Sequence, residues 1–266
     1  MSYDTSYMKE YCLATLQYLP FQLCLIFHSA TAILSFYATS HFLHKHMKKS
    51  PIHINFKCLL LVYFFISYLR GAIFLASTVS FLYRVFILDG SNNEEQLLMN
   101  SMTFKVIHLS FALFLIMDTT IKALLVFERT IATGKVETYE TEKSKKSCWI
   151  YIAIINLFPV SVVYATYPNA EFSQSACFAL FAPRNTEIWI NMLYLATFLF
   201  ALLSFITLRF LILLNNKKLK FHNFKLSTRY QIRENLTFTY LMSSVLLTGL
   251  AVVIFYGLAM IILRTS

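Results

Sequence analysis

The chain has 266 residues, 58% of them apolar and 14% charged, against ~45–50% and ~25% in an average soluble domain. Five Gly, five Pro, 26 Phe, 16 Tyr and a mean hydropathy of +0.60 exclude a disordered chain, a collagen-like repeat and a turn-rich β-sandwich. So many aromatics exceed what one soluble core of this size can hold, and the composition predicts an all-α integral membrane protein.

A helix needs about 20 mostly apolar residues to cross the bilayer. Six stretches meet that requirement, making residues 1–266 a single transmembrane domain. The first span runs from Leu19 to Phe42, with Pro20 near its start. The residues before it, MSYDTSYMKEYC, are polar and show no cleavable signal peptide, so this span is expected to act as its own signal anchor. The second runs from Phe56 to Phe81, the third from Phe104 to Phe127 and the fourth from Cys148 to Tyr167. The fifth runs from Ile188 to Leu214 and the sixth from Leu236 to Leu263.

Basic residues set the orientation. Sixteen fall at the loops joining spans one to two, three to four and five to six, and five on the other side. The three basic loops are therefore expected in the cytoplasm and the N-terminus outside. Six spans then leave Arg264, Thr265 and Ser266 outside as well. The net charge of +10 reads as a topology signal; nucleic-acid binding would need basic and aromatic residues on one soluble face.

Few residues look chemical. His41, His44, His46 and His53 cluster at the first basic loop, but seven histidines split between the two ends of the membrane fall short of a di-iron oxygenase set. A solvated loop with no metal is the expectation. Of five cysteines only Cys12 and Cys177 lie on the oxidising side, so they alone are candidates for a structural disulfide. Cys58 and Cys148 sit at the inner boundary and read as buried free thiols, with palmitoylation the other option.

Charges within spans face a bundle interior. Phe111, Asp118, Lys122, Leu125 and Arg129 share one stripe of the third span, with Asp118 and Lys122 in the favourable i,i+4 order. Arg70 adds a cation to the second span. Tyr240, Ser243, Ser244 and Thr248 line one side of the sixth and are expected to bond neighbouring helices. The one glycosylation sequon, Asn235-Leu236-Thr237, falls on the cytoplasmic side and is expected to stay unmodified. No hydrolase elbow, P-loop, metalloprotease helix, internal repeat or pore-lining polar helix stands out.

Three strings at the basic loops carry a resemblance. Ile52-His53-Ile54-Asn55-Phe56-Lys57 follows the first. Glu128-Arg129-Thr130 through Ala132-Thr133, then Tyr139-Glu140, follows span three. Leu226-Ser227-Thr228-Arg229-Tyr230-Gln231, ending in Glu234-Asn235, precedes span six. In this order and these places they resemble the nematode serpentine chemoreceptors of the Sra superfamily (Sra, Srab, Srb and Sre), with the Sre or Srab type favoured. The resemblance implies a G-protein-coupled receptor that binds a small environmental chemical, signals to a heterotrimeric G protein, and resides in the plasma membrane of sensory-neuron cilia. It implies no cofactor and no catalytic residue.

Under it Glu128, Arg129, Thr130, Arg229, Tyr230 and Arg233 face the G protein, the acid holding Arg129 at rest. Arg70, Phe111 and Asp118 line the ligand pocket. The family has seven spans, so the seventh is expected to be lacking. Rhodopsin-like receptors tie the top of helix three to the second outer loop by a disulfide; Cys177 lies in that loop, but no Cys stands between Gln96 and Ser110. The alternative is an unrelated six-span transporter or enzyme.

Overall fold

Long runs of Leu, Ile, Phe and Val with few turn residues fold as six α-helices among the described residues. The computed structural model describes residues 18–47, 53–86, 99–136, 139, 145–172, 183, 185–220 and 226–265. Its helices are α1 Leu19–Phe42, α2 Ile54–Phe86, α3 Ser101–Gly134, α4 Lys145–Thr166, α5 Glu187–Lys220 and α6 Leu226–Thr265. A π-helical turn, Leu43–Met47, continues α1. Pro20 sits in the first turn of α1, where a missing N–H breaks no helical bond. Asn100 opens α3, its side-chain oxygen accepting from the Met102 N–H at 3.1 Å. Pro159 lies inside α4 without ending it.

Five predicted spans lie wholly within helices, and the fourth passes Thr166 by one residue. α1 to α5 are each apolar and long enough to cross a membrane. In α6 the side chains beyond residue 251 lie outside the described set. Phe27, Tyr37, Leu157 and Ile188 are more than 70% exposed, as lipid-facing residues should be. α3 is the most enclosed, with 44% of its apolar window buried against 6% for α1. The predicted stripe is part of this: Asp118, Leu125 and Arg129 are buried. Cys12, Cys177 and parts of the three basic loops lie outside the described residues.

The chain divides into two compact units. The first holds α1, residues 64–86 of α2, 101–115 of α3 and 160–166 of α4. Here Leu25, Phe74 and Phe81 form a core joined by Phe21, Leu82 and Phe111. Phe111 also packs against Met99 and Phe104. Buried His108 bonds the Tyr167 hydroxyl at 2.8 Å. The second unit holds residues 54–63 of α2, 116–134 of α3, 145–159 of α4, 191–220 of α5 and all of α6. Phe56, Leu59, Ile121, Leu125, Ile155, Leu208, Ile232 and Leu246 are, among the described residues, its fully buried side chains of largest volume.

In the first unit α1 and α2 meet at Gly71. A Cβ there would stand 2.7 Å from the Phe36 ring. That ring is not free to yield, because it stacks on Tyr68 at 5.1 Å, and the Tyr68 hydroxyl donates to the Phe36 carbonyl at 2.8 Å and bonds Ser40. Gly71→Ala is therefore expected to destabilise the protein by about 1–3 kcal/mol through overpacking. Trimming the ring in Gly71→Ala/Phe36→Leu should recover part of the lost melting temperature. Equal melting of Gly71→Ala and wild type would show that the helices shift apart freely.

Candidate functional site

The second unit gathers described residues of all three strings around the C-terminal end of α3. Glu128 and Arg129 are buried, at 1% and 3% exposure. Adjacent helix residues point about 100° apart, so the two side chains do not bond each other. Glu128 accepts from the Tyr139 hydroxyl at 2.5 Å and from the Tyr151 hydroxyl at 2.6 Å. His53 Nδ1 lies 3.8 Å from the same carboxylate, and the His53 ring packs on Tyr139 at 4.1 Å.

The hydrogen-bond partners of Arg129 are neutral, while the Glu128 and Glu234 carboxylates act on its charge without bonding it. Its Nη1 donates to Asn235 Oδ1 at 3.1 Å, and its Nη2 to the Tyr139 hydroxyl at 3.4 Å. The guanidinium lies 3.8 Å above the centre of the Phe56 ring, a cation–π contact. Among the described residues its Nε has no hydrogen-bond partner. Tyr139 thus joins the acid to the base. Burial pushes its phenol above the ordinary range, the bond to Glu128 adds to the rise, and Arg129 opposes it. The phenol stays protonated at neutral pH and remains a donor.

Thr133 completes the cluster one turn on. Its hydroxyl accepts from Asn235 Nδ2 at 2.8 Å and from Asn215 Nδ2 at 3.0 Å. Lys218 donates to the Thr133 carbonyl at 2.6 Å, placing a cation on the C-terminal end of α3. The sequon asparagine is thus 5% exposed and engaged by both ends of its amide.

The other residues singled out from the sequence are placed as follows. Thr130 is exposed and bonds back to the Val126 carbonyl. Arg229 is half-buried, whereas Tyr230 and Arg233 are exposed on α6. Asp118 pairs with Lys122 at 2.6 Å in the second unit. Arg70 and Phe111 belong to the first unit. His41 and His44 are exposed as expected of a solvated loop, whereas His53 is packed against Glu128, a correction for that residue. Cys58 and Cys148 are joined through their sulfurs, with Cα atoms 6.7 Å apart, and are not the free thiols expected. Their 90-residue separation carries no sign that these two helix ends meet.

Helix α6 also differs from expectation. Ser244 and Thr248 bond carbonyls of their own helix, and of that polar side Tyr240 reaches α5 through Asn216 at 3.4 Å. A membrane-buried hydroxyl satisfies itself most cheaply on the carbonyl one turn back. The residues whose roles were missed, His53, Phe56, Thr133, Tyr139 and Asn235, all stood inside the three strings. Tyr151, Asn215 and Lys218 gave no sequence signal.

A family profile described as the serpentine type 7TM GPCR receptor class ab chemoreceptor matches residues 4–266. The chain belongs to this chemoreceptor family. Among curated proteins, serpentine receptor class beta-16 of Caenorhabditis elegans is 27% identical over 244 residues, covering 92% of this chain and 70% of that protein. Serpentine receptor class beta-3 of the same animal is 28% identical over 201 residues, covering 76% of this chain. The chain spans 58% of the length of that second relative. The receptor is thus a multi-pass membrane protein of the nematode Sra superfamily, and of the member types favoured from the sequence the profile selects class ab.

Proposed function

We propose that the receptor detects a small environmental chemical and passes the signal to a heterotrimeric G protein through Arg129, at the plasma membrane of a sensory-neuron cilium. The basic loops, and with them the Glu128–Arg129 cluster, face the cytoplasm. One observation carries the reading: Arg129 is a buried cation whose direct partners are all neutral. Such a charge is costly to keep inside unless its partners hold it well. It is therefore poised to exchange Asn235 and Tyr139 for acceptors on a partner, such as the free carbonyls at a helix C-terminus. Exposed Thr130, Tyr230 and Arg233, with half-buried Arg229, supply the surrounding surface. Arg70 and Phe111, both of the first unit, are assigned to ligand recognition.

The test is nucleotide exchange on co-expressed Gα subunits, with surface delivery measured in parallel. Arg129→Ala should reach the surface as wild type does while exchange falls by about 30-fold, the effect of losing an interface hot spot of about 2 kcal/mol. Undiminished exchange by a delivered Arg129→Ala receptor would remove Arg129 from the coupling role.

A further inference from the structure

Cys58 and Cys148 stand near the N-terminal ends of α2 and α4, joined through sulfur in the second unit. Each is a short step from the cluster. Cys58 follows Phe56, whose ring carries Arg129, by two residues, and His53, which lies on Glu128, by five. Cys148 precedes Tyr151, a donor to Glu128, by three residues and so shares its helix face. A bond between these sulfurs ties together the two helix ends that clasp Glu128 and Arg129. Both side chains are half-buried, so small reagents can reach them.

We infer that Cys58 and Cys148 form a reversible thiol–disulfide modification site through which a hydroperoxide locks the cluster closed. The locking role rests on the reading of Arg129 as the coupling group. With the basic loops in the cytoplasm, the pair faces a compartment that keeps thiols reduced, so a bond here is made and unmade. In the forward step one thiolate attacks hydrogen peroxide, giving a sulfenic acid and, after proton uptake, water. The second thiol attacks that sulfur, the S–S bond forms, and another water leaves. Two thiols are oxidised by two electrons and one peroxide is reduced to two waters. A dithiol reverses the step, giving up two electrons and two protons and becoming a disulfide itself.

Two readouts on the full receptor in membranes test this. Thiols are counted by maleimide-polyethylene glycol gel shift after hydrogen peroxide, then after dithiothreitol. Wild type should lose two thiols and regain both, whereas Cys58→Ser and Cys148→Ser should not lose that pair. If Cys58→Ser still loses two thiols to peroxide, the site is wrong. Nucleotide exchange is then followed in an Asn235→Leu background, chosen to signal without ligand. Peroxide should cut exchange by about tenfold, the share of one helix-end restraint worth about one factor of ten, and Cys58→Ser should abolish that sensitivity. Bond formation without any change in exchange overturns the lock. If Asn235→Leu and Asn235→Leu/Arg129→Ala exchange equally, the coupling reading fails and takes the lock with it, while the thiol count judges the pair independently.

Discussion

An Asn235→Leu receptor is expected to drive nucleotide exchange with no ligand present. Among the described residues Asn235 alone bonds both Arg129 and Thr133, and it is nearly fully buried. Leucine has the same γ-branched skeleton of four heavy atoms and is somewhat bulkier, so the change removes two hydrogen bonds without opening a cavity. A bond to a charged group contributes about 1.5–3 kcal/mol. Losing about 2 kcal/mol from the closed form alone raises the ratio of open to closed receptors by about 30-fold. Arg129 would then keep Tyr139 and the Phe56 face but no amide. The same loss should lower the melting temperature of the purified receptor. GTPγS uptake per receptor, normalised to surface protein, is the measurement. Uptake equal to wild type would mean that the amide bonds do not restrain Arg129.

The second large effect concerns Asp118. Its carboxylate and the Lys122 ammonium meet at 2.6 Å, with side-chain exposures of 5% and 18%. Lys122 also lies 5.9 Å from the centre of the Tyr63 ring, and a Cβ on Gly249 would come within 3.9 Å of its nitrogen. Asp118→Leu leaves that ammonium enclosed without its anion, at a cost of about 3–5 kcal/mol. Lys122→Met should cost a comparable amount. Removing both charges together should restore most of the stability, because an apolar pair replaces a buried ion pair at little net cost. Thermal unfolding of the four receptors in one detergent decides the matter. A double variant no more stable than either single one would show that the pairing is not what each single change disrupts.

That the six apolar runs fold as helices was legible because hydrocarbon length sets a strict minimum on such runs, and five of these helices are long and apolar enough to cross a membrane. The helix ends were not, since helices continue where hydropathy stops. α6 begins at Leu226, ten residues before its apolar run, across the polar string that ends in Glu234 and Asn235. α3 likewise carries Glu128, Arg129 and Thr133 beyond its predicted end at Phe127. The strings located the cluster but did not say how it works. A direct Glu128–Arg129 pairing is what the resemblance implies, yet neighbours on a helix face different ways, and Tyr139 stands between them. The asparagine that reads as a glycosylation signal is instead a clamp. Cys58 and Cys148 could not be matched, because spacing says nothing about which helix ends approach.

The length of α6 has a mechanical consequence. Forty residues without a proline form a rod about 60 Å long at 1.5 Å per residue, roughly twice the ~30 Å hydrocarbon thickness. Asn235 sits near one end of that rod, beside Arg229 and Arg233. A rigid rod works as a lever: a 10° tilt about its midpoint moves each tip by about 5 Å, nearly the length of one helical turn. An adjustment of about an ångström among side chains near the fulcrum is therefore enlarged several-fold by the time it reaches the tip.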